Sequence, residues 1–264
     1  MSAWSETMID PSAGITAVEV GRDTRDAATV LRGVTARRAP LYPVSLRLAG
    51  RLALVVGGGA LARRKTAELL AAGAWVRVVA SDWPADFRPL EEEHGALLER
   101  VTRPFDPADA DGAAIVVAAT GDPAAQRAAA RAAADRNLFC NVVDVTDLCT
   151  FHVPAVLRRG ALSVSVATDG QFPLLAVALR DRLARIVGAA FAVALERLAP
   201  ARARVRAAHP DDAAARARAL RALLTDAAVD DLLAGRLDGF AAKVAAWETA
   251  HPAPVAAAPA GGEA

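Results

Sequence analysis

The stretch Val55-Val-Gly-Gly-Gly-Ala-Leu-Ala62 carries the strongest fold signal in this 264-residue chain. It ends the apolar run 52–56, which predicts a buried strand, and it leads into residues 61–72, whose composition predicts a helix. From Gly57 to Ala62 the residues fit the pattern G-x-G-x-x-A. Such a loop between a strand and a helix is typical of a dinucleotide-binding α/β domain.

Three small residues of this loop have separate physical roles in such a domain. Gly57 permits the tight turn from strand to helix, Gly59 leaves the backbone open to a pyrophosphate, and Ala62 lets the helix pack close to the sheet. The helix N-terminus offers free N–H groups and the positive end of its dipole to phosphates. The alternative is a structural glycine turn in another α/β fold. The predicted cofactor-binding residues of the loop are Gly57, Gly58, Gly59, Ala60 and Leu61.

Further apolar runs alternate with helical stretches up to residue 143. The predicted strands after the first are 76–80, 96–101, 113–119 and 139–143. Asp122 and Pro123 supply an N-cap and a first-turn proline for a helix that is predicted to run to about residue 136. Strands that alternate with helices at this spacing indicate a parallel sheet with both faces covered.

The sequence changes in character after Asp144. Residues 161–167 alternate apolar and small polar types, which predicts a half-exposed strand, and the turn dipeptide Asp169-Gly170 separates it from a helix predicted over 173–187. Residues 189–247 are rich in arginine and alanine, with apolar residues at helical spacing, and predict a small domain of about three helices. Its predicted breaks are Pro210, Gly235 and Gly239.

Composition and charge exclude several classes of protein. The chain has 31 basic and 30 acidic residues, and a formal net charge of +1 removes the usual electrostatic case for binding DNA or RNA. We expect neither a membrane span nor a secretory signal, because no run of about 18 apolar residues is free of charges and the N-terminus has no apolar signal core. Cys140 and Cys149 are too few for a disulfide framework and lack zinc-ligand spacing. The expectation is a cytoplasmic protein with reduced thiols and no resident metal.

Polar residues follow two of the predicted strands. Ser81 and Asp82 follow the second strand, at a place where an acidic side chain binds the ribose hydroxyls of NAD and disfavours the 2′-phosphate of NADP. The alternative for Asp82 is an ordinary loop or N-cap aspartate before Trp83. Thr120 follows the fourth strand at the carboxyl edge of the sheet, where cofactors lie in this architecture. We therefore predict NAD as the cofactor, with Ser81, Asp82 and Thr120 among its ligands.

Five motifs occur in the order of one known family. They are Gly57-Gly-Gly-Ala-Leu-Ala-Arg-Arg-Lys65, Ala118-Ala-Thr-Gly-Asp122, Asn141-Val-Val-Asp144, Phe151-His-Val-Pro-Ala155 and Thr168-Asp-Gly-Gln-Phe-Pro173. From about Tyr42 to at least Val187 the chain resembles the precorrin-2 dehydrogenase/sirohydrochlorin ferrochelatase family, the dehydrogenase–chelatase part of siroheme synthase. Asp169 and Phe172 replace a glycine and a serine of the family pattern. Since the multifunctional siroheme synthases add a large methyltransferase domain, the length of this chain leads us to expect the stand-alone form.

The resemblance implies a reaction and an architecture. In the family, NAD+ takes a hydride from precorrin-2, a partly reduced tetrapyrrole rich in carboxylates, and a proton leaves to give sirohydrochlorin. Some members then insert Fe2+ or Co2+ as a substrate. The implied fold is an intertwined homodimer with an α/β Rossmann domain, a dimerisation region and a small all-α domain. The predicted regions are a flexible extension at 1–40 with a short helix near 24–31, a Rossmann domain at 41–153, a dimerisation region at 154–187, a helical domain at 188–250 and a flexible tail at 251–264.

Asp144 is the catalytic residue that the resemblance implies, since the aspartate of this motif is implicated in both family reactions. It follows the fifth predicted strand and is suited to accept the proton that the carbon skeleton loses, or protons from pyrrole nitrogens as metal enters. The alternative is a helix N-cap or loop aspartate. Asn141 either binds the nicotinamide amide, orients the loop, or is a strand residue paired to the backbone.

A non-catalytic, NAD(H)-sensing Rossmann regulator is the alternative function. It shares the glycine loop but gives no reason for Asn-Val-Val-Asp followed by Phe-x-x-Pro-Ala. The enzyme hypothesis adds one expectation, because an anionic tetrapyrrole on a chain of neutral net charge requires positive charge in one place. Arg158, Arg159 and Arg180 are candidates for a local arginine-lined cleft.

Overall fold

A computed structural model describes residues 41–251 of the chain. The chain divides into two compact units, residues 1–44 and residues 45–264. Residues 41–44, the described part of the first unit, contain no helix or strand, and every described helix and strand lies in the second unit. The predicted extension at 1–40, its helix near 24–31, and all but the first residue of the predicted tail lie outside the described residues.

A parallel five-stranded sheet is the largest element of the second unit. Its strands are β1 (Leu52–Val56), β2 (Trp75–Ala80), β3 (Leu98–Thr102), β4 (Ala113–Ala118) and β5 (Phe139–Val142). They pair in the order β3-β2-β1-β4-β5, and Val55 of β1 lies between Val78 of β2 and Val117 of β4. The five predicted strands are confirmed, and their ends differ from the prediction by at most two residues.

Helices cover both faces of the sheet. They are α1 (Ala60–Ala71), α2 (Arg88–His94) and α3 (Pro123–Ala134). Because successive strand residues point to opposite faces, Val55 belongs to the apolar cluster that includes Ala62 of α1, and Leu54 belongs to the cluster that includes Ala129 of α3. The α/β fold class with a covered parallel sheet is confirmed. Helix α2 was not predicted, because Leu90 is the one buried residue among its seven and the sequence has no apolar period there.

An antiparallel hairpin and a helix follow the sheet. The hairpin pairs β6 (Ala155–Arg159) with β7 (Leu162–Val166), and α4 (Pro173–Ile186) comes next. β7 confirms the predicted half-exposed strand, since its residues alternate between half-buried and exposed. β6 was not predicted, because the run Ala-Val-Leu-Arg-Arg does not alternate.

Residues 190–250 form four helices rather than about three. They are α5 (Ala190–Ala208), α6 (Ala213–Leu223), α7 (Asp226–Leu233) and α8 (Leu237–Ala250). The breaks predicted at Pro210 and Gly235 are confirmed, but Gly239 lies inside α8 and its prediction as a break is wrong. Within residues 41–251 no helix combines the length and apolar character needed to cross a membrane.

The buried carboxylate of Asp231 explains why a glycine stands at position 239 inside α8. A Cβ at this position would lie 2.8 Å from Oδ2 of Asp231. Lys243 and Arg236 form ion pairs with Asp231, and these partners hold the pKa of its carboxyl below the usual range. The glycine therefore makes room for a charged contact that joins α7 to α8.

Candidate functional site

The strand order creates a crevice at one point of the sheet. β1 leads through β2 to β3 on one side, whereas β4 and β5 lie on the other side of β1. In parallel α/β sheets, ligands bind outside the carboxyl ends of the two strands at which the order reverses. Here those strands are β1 and β4, whose carboxyl ends lead into Gly57 and Ala119. The sequence-predicted glycine loop and Thr120 therefore meet at this edge.

Gly57 makes the turn that closes β1. Its φ of 126° lies in the region that favours glycine, and a Cβ there would lie 2.4 Å from the carbonyl oxygen of Ala119. Its N–H donates to the Val79 carbonyl at 2.8 Å, while the Ala119 N–H donates to the Val56 carbonyl at 2.8 Å. The predicted tight turn is confirmed, and it also requires a close approach between the ends of β1 and β4.

Gly58 brings the second predicted segment to the same place. A Cβ on Gly58 would lie 2.1 Å from the backbone oxygen of Asp82, and the Ala85 N–H donates to the Gly58 carbonyl at 3.3 Å. Both Ser81 and Asp82 are exposed. The segment that carries Asp82 therefore packs directly on the glycine loop, as ribose recognition next to a pyrophosphate requires.

Helix α1 begins at this loop with its first N–H groups uncovered by side chains. Gly59 is its N-cap, none of the described side chains caps it, and its first turn holds no acidic residue. A Cβ built on Gly59 meets no described atom within 4 Å, so the space above it is open, whereas Ala62 is fully buried. An open helix N-terminus of this kind fits the pyrophosphate of a dinucleotide. Ala60 and Leu61 form the first turn beside it.

Thr120 has a defined place between β4 and α3. Its hydroxyl accepts from the N–H of Asp122 at 3.2 Å, and its carbonyl accepts from Nε2 of Gln126 at 2.8 Å. Asp122 accepts from the Ala124 N–H at 2.8 Å, which confirms the predicted N-cap of α3. These bonds hold Thr120 half-buried at the crevice.

Asp144 directly follows Val143, whose N–H continues the hydrogen bonding between β4 and β5. This N–H donates to the Ala118 carbonyl at 2.9 Å, so the ends of β4 and β5 stay together. Asp144 is exposed and has a φ of 64°, and the N–H of Val145 closes the turn by donating to the Val142 carbonyl at 3.2 Å. A left-handed conformation costs a non-glycine residue about 1–2 kcal/mol. Strain of this kind concentrates at functional sites, where surrounding structure maintains it.

Asn141 does not present a free amide to the crevice. Its Nδ2 donates to the carbonyl of Phe151 at 3.1 Å and lies 3.6 Å from Sγ of Cys149. Of the roles considered for Asn141, these contacts favour the orientation of the loop that follows β5.

The predicted arginines differ in what they contact. Arg159 donates to the carbonyls of Val187 and Ala184 at 3.0 and 3.2 Å, and so it caps the end of α4. Arg180 pairs with its neighbour Asp181 at 2.6 Å. Arg158 is exposed, and its guanidinium has no hydrogen-bond or ion-pair partner within residues 41–251. Of the three, Arg158 therefore keeps its guanidinium available to an anionic ligand.

An aromatic cluster that sequence reasoning missed supports the Asp82 segment. Nε1 of Trp83 donates to the Thr102 hydroxyl at 3.0 Å, and the guanidinium carbon of Arg100 lies 4.1 Å from the centre of the Trp83 ring. Phe87 packs edge-on against Trp83 with ring centres 5.1 Å apart. The position of Trp83 directly after Asp82 was the available signal, but its partners on β3 are distant in sequence.

The described part of the chain contains no cluster of side chains that could form a metal centre. Residues 41–251 contain no group of three or more His, Cys, Asp or Glu side chains that could hold a metal ion. For the predicted cofactor NAD, by contrast, the described residues do provide a fit: the open N-terminus of α1 for its pyrophosphate and the Asp82 segment for its ribose.

Comparisons with known proteins agree with this geometry. Residues 44–155 match the family model described as "Putative NAD(P)-binding". The siroheme synthase of Methylobacillus flagellatus is 41% identical over 150 residues, which are 56% of this chain and 32% of that protein. The siroheme synthase of Methylococcus capsulatus is 38% identical over 174 residues, which are 66% of this chain and 36% of that protein. The chain thus matches about a third of the length of these curated relatives.

A solved structure resembles this chain in fold over a larger share of its length than the sequence matches cover. The structure named SirC, precorrin-2 dehydrogenase superposes with a TM-score of 0.62 at 23% identity, and the match covers 78% of this chain and all of that one. The sequence matches confirm the predicted resemblance to the siroheme synthases, and the fold match confirms the Rossmann-type α/β fold.

Proposed function

We propose that this chain oxidises precorrin-2 to sirohydrochlorin with NAD+. The observation that carries the proposal is the placement of Asp144 at the carboxyl edge of the sheet that also holds the glycine loop. The names of the similar proteins, siroheme synthase and precorrin-2 dehydrogenase, supply the substrate. Its test is NAD+-dependent formation of sirohydrochlorin by the purified chain.

The glycine loop and its neighbours hold the cofactor in this proposal. Gly57, Gly58 and Gly59 shape the pyrophosphate cradle, the first-turn N–H groups of Ala60 and Leu61 face it, and Ser81, Asp82 and Thr120 flank it. Bound there, NAD+ supplies the hydride acceptor. Asn141 is assigned to orienting the loop after β5, because its amide nitrogen is engaged with the Phe151 carbonyl.

Asp144 serves as the general base. Its carboxylate is exposed at the substrate side of the strand ends and accepts the proton that precorrin-2 loses. Arg158, exposed on the hairpin, is the arginine best suited to a substrate carboxylate.

The cofactor preference depends on Asp82. We expect the wild-type chain to bind NADH at least about tenfold more tightly than NADPH, because a carboxylate at this position repels the 2′-phosphate. Asp82→Asn should narrow this ratio by improving NADPH binding. Fluorescence titration with both cofactors measures it, and an exposed aspartate at the far end of α3, Asp135→Asn, is the control. Equal affinities of the wild-type chain for both cofactors would contradict the assignment.

Ferrochelation is the second activity in the proposal, since the similar relatives are named for siroheme, the iron complex of sirohydrochlorin. Fe2+ or Co2+ then enters as a substrate, and Asp144 accepts protons from the pyrrole nitrogens. Metal insertion faster than the spontaneous background is the expected result.

We propose that the chain works as a homodimer, with residues 154–187 as the dimerisation region. Helix α4 supports this, because large apolar side chains on it are exposed: Phe172 at its N-cap, then Leu174, Leu175, Val177, Leu179 and Ile186. Leu174 is 72% exposed. A group of exposed large apolar side chains of this kind is typical of protein interfaces.

Leu174→Glu is expected to weaken the dimer at least about tenfold, since it places a charge in an apolar contact. Sedimentation velocity over a concentration series measures the change. Leu233→Glu is the matched control, because Leu233 is an exposed leucine on α7. A wild-type chain that sediments as a monomer at all concentrations would contradict the proposal.

A cytoplasmic location completes the proposal. Both cysteines are free, as is usual for thiols in a reducing compartment. The partners are small molecules and a second copy of the chain, with neither nucleic acid nor membrane required.

A further inference from the structure

The connection that carries Asp144 folds back along the outer edge of β5. No strand among the described residues pairs with this edge. Instead, the Cys140 N–H donates to the Thr150 hydroxyl at 2.7 Å, and the Thr150 N–H donates to the Cys140 carbonyl at 2.8 Å. The loop thus satisfies edge groups that a sixth strand would otherwise pair.

The thiol of Cys149 lies at the centre of this loop. The Val142 N–H donates to its Sγ at 3.3 Å, which satisfies the next N–H along the edge. The same Sγ lies 3.2 Å from the carbonyl oxygen of Val142 and 3.4 Å from that of Val145, so its S–H donates to this pair. Val142 and Val145 are the two ends of the turn that contains Asp144. One side chain therefore contacts the backbone on both sides of the catalytic carboxylate.

The thiol is present in its neutral, donating form. Burial raises the pKa of Cys149 above its usual value, and burial together with the neighbouring Cys149 raises the pKa of Cys140 to about 11. A thiol in such surroundings is a poor nucleophile. Its role is therefore structural contact with the turn rather than chemistry of its own.

We infer that Cys149 is a positioning residue, whose thiol holds the Val142–Val145 turn and with it the left-handed backbone of Asp144. The inference rests on the proposed dehydrogenase function. The φ of 64° at Asp144 is unfavourable in isolation, so the turn relaxes unless other contacts maintain it. In addition to the Val145 hydrogen bond, the Cys149 contacts supply that restraint.

Two substitutions remove the contacts in different ways. Cys149→Ala removes the sulfur, and Cys149→Val fills the space without a donor or acceptor. Each is expected to lower kcat about tenfold to a hundredfold, because a displacement of about 1 Å at a reacting group costs this much. KM for precorrin-2 and Kd for NADH should stay within about twofold of wild type, because the glycine loop follows β1 and not β5. Cys149→Ser, which keeps a donor and an acceptor, should recover part of the lost rate.

Cys140→Ala is the matched control. Cys140 is the other free thiol, one residue from Asn141, and its buried side chain belongs to an apolar cluster of the sheet. It should keep kcat within about twofold of wild type. Equal losses in the Cys140 and Cys149 variants would mean a general loss of packing and would overturn the inference, as would wild-type kcat in Cys149→Ala or Cys149→Val.

Hydrogen exchange at the Val145 amide gives a readout that does not need activity. This amide closes the turn, so its exchange should become at least about tenfold faster in Cys149→Ala and Cys149→Val and stay unchanged in Cys140→Ala. Unchanged exchange in both Cys149 variants would overturn the inference. A wild-type chain that does not convert precorrin-2 would instead refute the proposed function, and the exchange data would still decide whether the thiol holds the turn.

Discussion

Asp144→Asn is expected to lower kcat for precorrin-2 dehydrogenation about a thousandfold, within the range that a general base contributes. Asparagine has the size of aspartate and a similar tolerance of a positive φ, so the contacts that hold the turn at residue 144 should keep its conformation. The lost group is the carboxylate that accepts the proton. Steady-state kinetics measure the fall, and fluorescence titration should give the wild-type Kd for NADH.

The control for this variant is Asp135→Asn, an exposed carboxylate at the C-terminal end of α3. It should turn over precorrin-2 at the wild-type rate. A rate for Asp144→Asn within about threefold of wild type would remove Asp144 from the catalytic step.

Gly58→Ala is the second large effect. The new Cβ would lie 2.1 Å from the Asp82 carbonyl oxygen and 3.0 Å from Cβ of Ala80; Ala80 ends β2, and Asp82 lies in the segment that follows it. The backbone must therefore move at the crevice. We expect a loss of about 1–3 kcal/mol in the free energy of unfolding, as overpacking usually costs. The Kd for NADH should rise at least about tenfold, because the glycine loop and the Asp82 segment separate.

Gly188→Ala is the control for this substitution. A Cβ on Gly188 would meet no described atom within 4 Å. Gly188 lies between α4 and α5, away from the carboxyl ends of the sheet strands. It should leave thermal unfolding and NADH binding unchanged. A Gly58→Ala chain with wild-type stability and affinity would show that the Asp82 segment does not depend on this contact.

The sheet and its glycine loop could be predicted because their signals are local. Each parallel strand is a short apolar run, and Asp122-Pro123 marks the start of a helix by its own chemistry. Gly57 was predicted for the turn, but its contact with Ala119 was not, since that contact joins strands that are distant along the chain. The order of the strands in the sheet could not be predicted from local patterns either.

The loop after β5 shows what local patterns leave out. Asp144 was found through a motif, but its φ of 64° and the thiol that contacts the turn depend on β5 being an edge strand. Cys149 reads as an ordinary buried thiol in the sequence. Its contacts with Val142 and Val145 arise only when the chain reverses along that edge.

The prediction of an arginine-lined cleft also depends on contacts between residues that are distant along the chain. Arg159, one of three candidates, is engaged by carbonyls at the end of α4, whereas Arg158 on the same strand is exposed. Neighbouring residues of a strand point in opposite directions, so the hairpin pairing decides which arginine faces solvent. The sequence alone did not place this hairpin.

The most direct test of the proposed function is the conversion of precorrin-2 by the purified chain. Precorrin-2 and NAD+ are incubated with the protein, and sirohydrochlorin and NADH are followed by their absorbance, with and without Fe2+. Without Fe2+ we expect equal amounts of sirohydrochlorin and NADH, formed only when NAD+ is present and lost in Asp144→Asn. A chain that binds NADH but forms no sirohydrochlorin above the protein-free background would contradict it.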